Sequence, residues 1–540
     1  MTDALLSIKD LRIGYRLADA LAPAVRGVGL DVRRGECVAV VGESGSGKSS
    51  TAHALLGVLP DNAEVSGSAR LGDIELIGAR PRVLRAVRGR RIGFVPQDPM
   101  SALNPVQRIG DQVAEVLRIH RLADRRTARL RAIEALERAG LDRPAQRARQ
   151  FPHQLSGGMR QRALIALATV ADPALIVADE PTSALDVTVQ RTILDRLAEL
   201  SSASGAGVLL ITHDLGVAAE RADRLVVMRG GTVVEAGSVS DLIDRPREGY
   251  TRELLGAAPR LDTPPLVGAR PEPSRPLLEL RGVDVSFRLP RAAGADRTVA
   301  AVSGVDLTVE RGETVGLVGE SGSGKTTTAR VALGLVRPDA GEASFDQAPL
   351  SGLRGEALRL LRRRIQVVQQ NPYASLNPRW TLTEIISEPL AVFGIGDRAA
   401  RAARVAELLD RVGLPTSYAG RLPRELSGGQ RQRVSIARAL APQPDLIVCD
   451  EPVSALDVSV QARILRLLVD LQAEFGQGYL FISHDLAVVR QIAHRTAVLS
   501  AGRIVEVGPT EEVLARPRHD YTRTLLAAVP GAREPERSPA

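Results

Sequence analysis

The sequence predicts an α/β fold built twice in tandem, and three pairs of motifs predict it. Gly42–Ser49 reads G-E-S-G-S-G-K-S and Gly319–Thr326 reads G-E-S-G-S-G-K-T, 277 residues further on. L-S-G-G-M-R-Q-R at Leu155–Arg162 is answered by L-S-G-G-Q-R-Q-R at Leu426–Arg433, and L-I-V-A-D-E-P at Leu175–Pro181 by L-I-V-C-D-E-P at Leu446–Pro452, both 271 residues apart. Ordered repetition of this kind marks a duplicated domain.

A chain of 540 residues is too long for one hydrophobic core and fits two domains of roughly 250 residues. The expected limits are 1–258 for the first domain, 259–276 for a Pro-rich linker, 277–529 for the second domain and 530–540 for a disordered tail. The ordered parts are expected from about Leu5 to Ala258 and from about Leu277 to Val529. Each domain carries a C-terminal extension, and the linker composition, L-D-T-P-P-L-V-G-A-R-P-E-P-S-R-P, suits an extended connector.

With 44% hydrophobic and 25% charged residues and no run of 18 apolar residues, no membrane span is expected. The opening M-T-D-A-L-L-S-I-K-D lacks the pattern of a secretory signal, so the chain is expected to stay in the cytoplasm. Two cysteines, Cys37 and Cys449, cannot build a disulfide framework and read as core thiols. A net charge of +8 without a lysine-rich block gives little support for nucleic-acid binding.

Val38–Val41 and Val315–Val318 read as strands entering the glycine loops, with helices expected over Ser50–Leu59 and Thr327–Leu335. Leu175–Ala178 and Leu446–Cys449 read as strands ending in Asp-Glu, and Val208–Thr212 and Tyr479–Ser483 as strands ending before a His-Asp pair. Ligands of parallel sheets sit beyond the carboxyl ends of the strands, so these groups should converge there. Ala123–Ala139 and Arg398–Val412 read as amphipathic helices of helical subdomains.

The loops carry phosphate chemistry. Their glycines let backbone N–H groups turn around phosphate oxygens at a helix N-terminus. The nucleotide-binding set is Gly42, Ser44, Gly45, Gly47, Lys48, Ser49 and Ser50 in one half. In the other it is Gly319, Ser321, Gly322, Gly324, Lys325, Thr326 and Thr327. Lys48 and Lys325 would reach the β- and γ-phosphates, while Ser49 and Thr326 would ligate Mg²⁺. Asp179 and Asp450 are placed to hold the magnesium shell. Glu180 and Glu451 are candidate bases for the attacking water, with His213 and His484 beside the γ-phosphate. An acidic capping pair before Pro181 and Pro452 is the plainer alternative for Asp-Glu.

Taken together, these motifs resemble the ATP-binding domain of ABC transporters, whose signature is L-S-G-G. The resemblance implies two tandem P-loop NTPase domains of the ABC ATPase type, each with a helical subdomain, using ATP and Mg²⁺. It implies head-to-tail pairing, with Ser427, Gly428 and Gly429 completing the site of Lys48, and Ser156, Gly157 and Gly158 completing that of Lys325. Gln97 in V-P-Q-D-P and Gln370 in V-Q-Q-N-P match the glutamine loop that senses magnesium and the attacking water. Asp186 and Asp457 match the segment that communicates across the nucleotide interface. Tyr15 and Phe287, following short strand-like segments, match the aromatic that stacks on adenine, with core packing as the alternative. Met159 departs from Gln430 at the equivalent position.

D-P-M-S-A-L-N-P at Asp98–Pro105 and N-P-Y-A-S-L-N-P at Asn371–Pro378 resemble the dipeptide, oligopeptide and nickel importer group. So do the domain ends, R-P-R-E-G-Y-T-R-E-L-L at Arg245–Leu255 and R-P-R-H-D-Y-T-R-T-L-L at Arg516–Leu526. The resemblance implies an ATPase driving uptake of di- or oligopeptides, with nickel or glutathione as alternatives. Two transmembrane permease subunits and an extracytoplasmic substrate-binding protein would be its partners, at the cytoplasmic face of the membrane. No iron–sulfur cluster and no nucleic-acid partner are expected. A soluble ABC ATPase of ribosomes or DNA is the alternative from another class; the short proline-rich linker and the scarcity of cysteine argue against it.

Overall fold

The computed structural model describes residues 4–17, 20–182, 185–272, 274–288, 298–454 and 456–530. Two compact units divide at Ala258/Pro259. The tail expected over 530–540 lies outside the described residues, apart from Pro530.

In the first unit, Leu21–Arg33, Ala4–Arg16, Ala63–Leu71 and Ile74–Glu75 form an antiparallel sheet. A six-stranded sheet runs in the order Thr232–Ser238, Arg224–Arg229, Cys37–Val41, Gly207–Ile211, Leu175–Asp179, Ile92–Val95, parallel except for its first strand. Its inner strands are continuous apolar runs because both faces are covered. On one face Leu55, Val40, Leu209 and Ile211 pack toward the antiparallel sheet. On the other, Ala178, Val208 and Leu210 pack against the helical subdomain, whose helix Arg125–Arg138 buries Ala128, Ala132, Ala135 and Leu136 at helical spacing.

The second unit repeats the plan. Thr298–Val309, Leu278–Arg288, Ala340–Phe345 and Ala348–Pro349 form the antiparallel sheet. The second sheet runs Ile365–Val368, Leu446–Asp450, Gly478–Ser483, Thr314–Val318, Arg495–Ser500, Arg503–Pro509. Helix Arg398–Arg411 buries Val405, Leu408 and Leu409 against its helical layer. In both units the strand that leads into the glycine loop lies directly beside the strand that ends before His-Asp, in parallel register. Three strand ends therefore meet at one edge.

Several expectations shift by a few residues. The helices after the glycine loops span Lys48–Leu56 and Lys325–Ala332, starting two residues early because Gly47 and Gly324, at φ 97° and 110°, act as left-handed caps. Gly57, at φ 59°, ends the first of them. Tyr15 and Phe287 lie within strands rather than after them; Tyr15 pairs with Ala22 and Ala63, and Phe287 with Val299.

The linker is held against the second unit. Leu266 N donates to Gln491 O at 2.8 Å, and Ser274 N to Glu310 Oε2 at 3.1 Å. Arg270 pairs with Glu310 and with fully buried Glu313, each at 3.0 Å. Cys37 is half-buried and Cys449 buried, and burial pushes both thiols up to about 12, so neither forms a thiolate near neutrality.

Candidate nucleotide site

Each glycine loop turns between a buried strand and a helix N-terminus. A Cβ on Gly42 would lie 2.2 Å from Met228 O, and one on Gly319 2.1 Å from Leu499 O, so only glycine lets the loop leave its strand there. Gly45 and Gly322 have open space above them. Lys48 Nζ donates to Gly42 O and Glu43 O at 2.6 and 2.9 Å; Lys325 Nζ reaches Gly319 O and Glu320 O at 2.6 and 2.8 Å. Both lysines are buried. Burial lowers the Lys48 pKa, opposed first by the nearby Glu180 carboxylate.

Beside the first loop, Ser49 Oγ donates to Asp179 Oδ1 at 3.0 Å. Burial raises the carboxyls of Asp179 and Asp450, with the adjacent glutamates adding to it. Two hard oxygen donors at a helix N-terminus beside a buried lysine fit a nucleotide-bound Mg²⁺. The hydroxyls of Ser46 and Ser323 are buried without a partner among the described residues. An open-tipped loop with orphaned buried hydroxyls and a buried lysine fits a polyanionic phosphate.

Glu180 and Glu451 sit at φ 46°, a left-handed conformation unusual for a non-glycine residue. Their amides bond Ile211 O and Ile482 O on the neighbouring strand at 2.8 and 3.0 Å, which holds the turn and aims each carboxylate back across the strand ends. Gln97 Nε2 donates to Glu180 Oε2 at 2.7 Å, and Gln370 Nε2 to Glu451 Oε2 at 2.8 Å. His213 Nδ1 lies 3.3 Å from Glu180, and His484 Nδ1 3.3 Å from Glu451. Burial works against both charged forms, yet each histidine is raised and each glutamate lowered, because the hydrogen bond and opposite charge between them outweigh it.

Lys48, Ser49, Asp179, Glu180, Gln97 and His213 thus gather at one edge of the first unit. Lys325, Gln370, Asp450, Glu451 and His484 do so in the second, with Thr326 following Lys325 at the helix start. Tyr15 Oη lies 2.9 Å from Ser50 Oγ, on the helix behind the loop, while Phe287 is 42% exposed.

The signatures stand at the N-termini of helices Gly157–Thr169 and Gly428–Leu440, capped by Ser156 and Ser427. A Cβ on Gly158 would meet Val189 at 2.6 Å, and one on Gly429 would meet Val460 at 2.3 Å, so these glycines also serve close helix packing. Gln430 Oε1 accepts from Ser427 N at 3.0 Å and closes a capping box; Met159 has no polar atom to do so. Asp186 caps the following helix, accepting from Val189 N at 3.0 Å. Ser183, Ala184 and Ala455 of the two S-A-L-D motifs lie outside the described residues.

The sequence reading missed His53, whose Nε2 is 4.0 Å from Asp179 Oδ2. Arg330, at the same place in the second repeat, acts on Asp450 in the same sense. A basic residue beside each strand-end aspartate was legible only from aligning the two helices.

An ABC transporter family model matches residues 25–183 and 302–454. A second model, the oligopeptide/dipeptide transporter C-terminal region, matches 234–279 and 505–539. The oligopeptide transport ATP-binding protein OppD of Mycobacterium tuberculosis is 45% identical over 602 residues, covering 97% of this chain and 98% of its own. The glutathione import ATP-binding proteins GsiA of Escherichia coli and Pectobacterium atrosepticum are 45% and 43% identical, each covering 98% of this chain and 90% of its own. No helix among the described residues is long and apolar enough to cross a membrane. Two phosphate loops, two signatures and two C-terminal regions make one conclusion: the chain belongs to the ABC transporter ATP-binding proteins of the oligopeptide, dipeptide and nickel importer family, with both nucleotide-binding domains fused.

Proposed function

We propose that the chain is the ATP-hydrolysing subunit of an importer for di- and oligopeptides. The observation that carries the cargo class is the match of both C-terminal extensions to the oligopeptide/dipeptide transporter region. Glutathione, itself a small peptide, is the second reading, favoured by the relatives named for its import. Two membrane permeases would dock on the exposed loop extensions around Met100 and Tyr373, at the cytoplasmic face of the membrane, and an extracytoplasmic binding protein would supply cargo.

In this reading Lys48 and Lys325 leave their loop carbonyls for the phosphates of ATP. Bound Mg²⁺ would neutralise charge on those phosphates, held at Ser49 and Asp179 or Thr326 and Asp450, with Gln97 and Gln370 near. Glu180 and Glu451 orient the attacking water and take its proton, while His213 and His484 hold the carboxylates in place. Ser156–Gly158 and Ser427–Gly429 would serve as the signatures that contact ATP. Tyr15 and Phe287 would stack on adenine.

Reconstitution with candidate permease subunits tests the proposal. ATP-dependent uptake of labelled peptide is expected. Uptake of glutathione alone moves the cargo to the second reading, and association with ribosomes without any permease overturns transport.

A further inference from the structure

The C-terminal extension of each domain sends one tyrosine to the entrance of its own phosphate loop. Glu43 N donates to Tyr250 Oη at 3.2 Å, and Glu320 N to Tyr521 Oη at 3.0 Å. The carbonyl of the same peptide unit, Gly42 O or Gly319 O, accepts from the loop lysine. One peptide plane is therefore gripped on its N–H side by a phenol and on its C=O side by the ammonium that must meet phosphate.

The tyrosines are themselves held. Glu235 accepts from Arg247 N and Glu248 N at 2.8 and 3.3 Å, at the start of helix Gly249–Ala257. Glu506 accepts from Arg518 N and His519 N at 2.9 and 3.2 Å, and from Thr522 Oγ1 at 2.6 Å, at the start of helix Asp520–Ala527. Tyr250 packs against Val41, Leu215 and Leu254 and lies beneath the Arg229 guanidinium, 4.6 Å from its ring centroid. Arg-Pro-x-x-x-Tyr in each extension thus builds the same lever: a carboxylate on the last strand sets a short helix, and the helix sets a phenol under the loop. The strand carboxylate, the short helix and the phenol all recur in both repeats, which argues against incidental contact.

We propose that Tyr250 and Tyr521 are positioning residues for ATP binding, fixing the Gly42–Glu43 and Gly319–Glu320 peptides so that the loop amides and lysine are preorganised for phosphate. This rests on the phosphate loops binding ATP, as the proposed function requires. A preorganised loop loses less freedom when ligand binds, so the effect belongs to affinity more than to the chemical step.

The test is the Tyr250→Phe, Tyr521→Phe double variant, which keeps both rings and deletes only the hydroxyls. Loss of one neutral hydrogen bond per site predicts KM for ATP raised about fivefold with kcat changed by less than about twofold. The Glu43 and Glu320 amides should also exchange hydrogen several-fold faster. Unchanged KM or unchanged exchange overturns the proposal, as does a fall in kcat alone. If that variant does not fold, Glu235→Gln, Glu506→Gln loosens the same lever and should raise KM likewise; an unaltered KM there overturns it too. Failure of the unsubstituted chain to bind or hydrolyse ATP would instead sink the proposed function.

Discussion

Gln97 and His213 converge on the one carboxylate of Glu180, at 2.7 and 3.3 Å, and Gln370 and His484 do the same to Glu451. A carboxylate held ionised by two donors, on a backbone in a left-handed turn, is fixed in direction. That fixity suits a base which has to meet one water in one geometry.

If Glu180 and Glu451 are the bases, replacing both carboxylates should stop chemistry and spare binding. The Glu180→Gln, Glu451→Gln double variant is expected to lose about 10²-fold or more in Mg²⁺-dependent ATP hydrolysis. Equilibrium ATP binding should persist. Retention of full hydrolysis would defeat the assignment of these carboxylates.

The paired shifts also predict a pH signature. Glu180 lies below its ordinary 4.5, so its contribution to stability is present above that value and is lost as pH falls through the lower folded one. His213 lies above its ordinary 6.5, so its contribution is complete below that value and is lost as pH rises through the higher folded one. Glu451 and His484 shift in the same directions. The His213→Gln, His484→Gln variant should differ most from the parent in melting temperature between about pH 4.5 and 6.5, and converge with it on the alkaline side. A pH-independent difference would exclude the ion pair as its source.

The meeting of loop lysine, strand-end carboxylates and histidine at one edge was legible because each motif ends a strand of a parallel sheet, and the second repeat supplied a check on the first. What the sequence concealed was long-range. Nothing near Tyr250 says that its hydroxyl meets Glu43, 207 residues away. Nor does residue type reveal the left-handed turn at Glu180, since glutamate has no preference for it. Tyr15 read as post-strand because Gly14 and Arg16 break the apolar pattern, yet pairing on both sides carries the strand to Arg16.

The first signature helix lacks the capping box of the second, because Met159 stands where Gln430 closes it. Met159→Gln should restore the reciprocal bond to Ser156 N and stabilise the first unit by about 0.5–1 kcal/mol, or roughly 1–4 °C. Calorimetry that resolves no upward shift would count against a capping origin for this difference.

Arg270 ties the linker to Glu310 and buried Glu313, while Arg495 approaches Glu313 at 3.4 Å from within the sheet. Because Arg495 remains after Arg270→Ala and Arg270 is partly solvated, the expected stability loss is modest, about 1 kcal/mol. The linker itself should respond more: limited proteolysis between residues 266 and 274 should be markedly faster in Arg270→Ala. Equal cleavage rates would show that Leu266 and the prolines hold the segment without it.

Under the proposed function the two ATP sites are coupled, which makes one lysine a test of both. Independent sites predict that Lys48→Ala leaves about half of the ATPase rate. Coupled sites predict much less, since a first site that cannot engage phosphate no longer favours turnover at the second. A coupling at the low end of the usual range, about fivefold, would bring the residual rate to about a tenth of the parent. Lys325→Ala should behave alike, with any difference between the two traced first to the Met159 signature. Steady-state ATPase assays of both single variants decide it: rates that sum to the parental value would remove the coupling and leave two independent ATP sites.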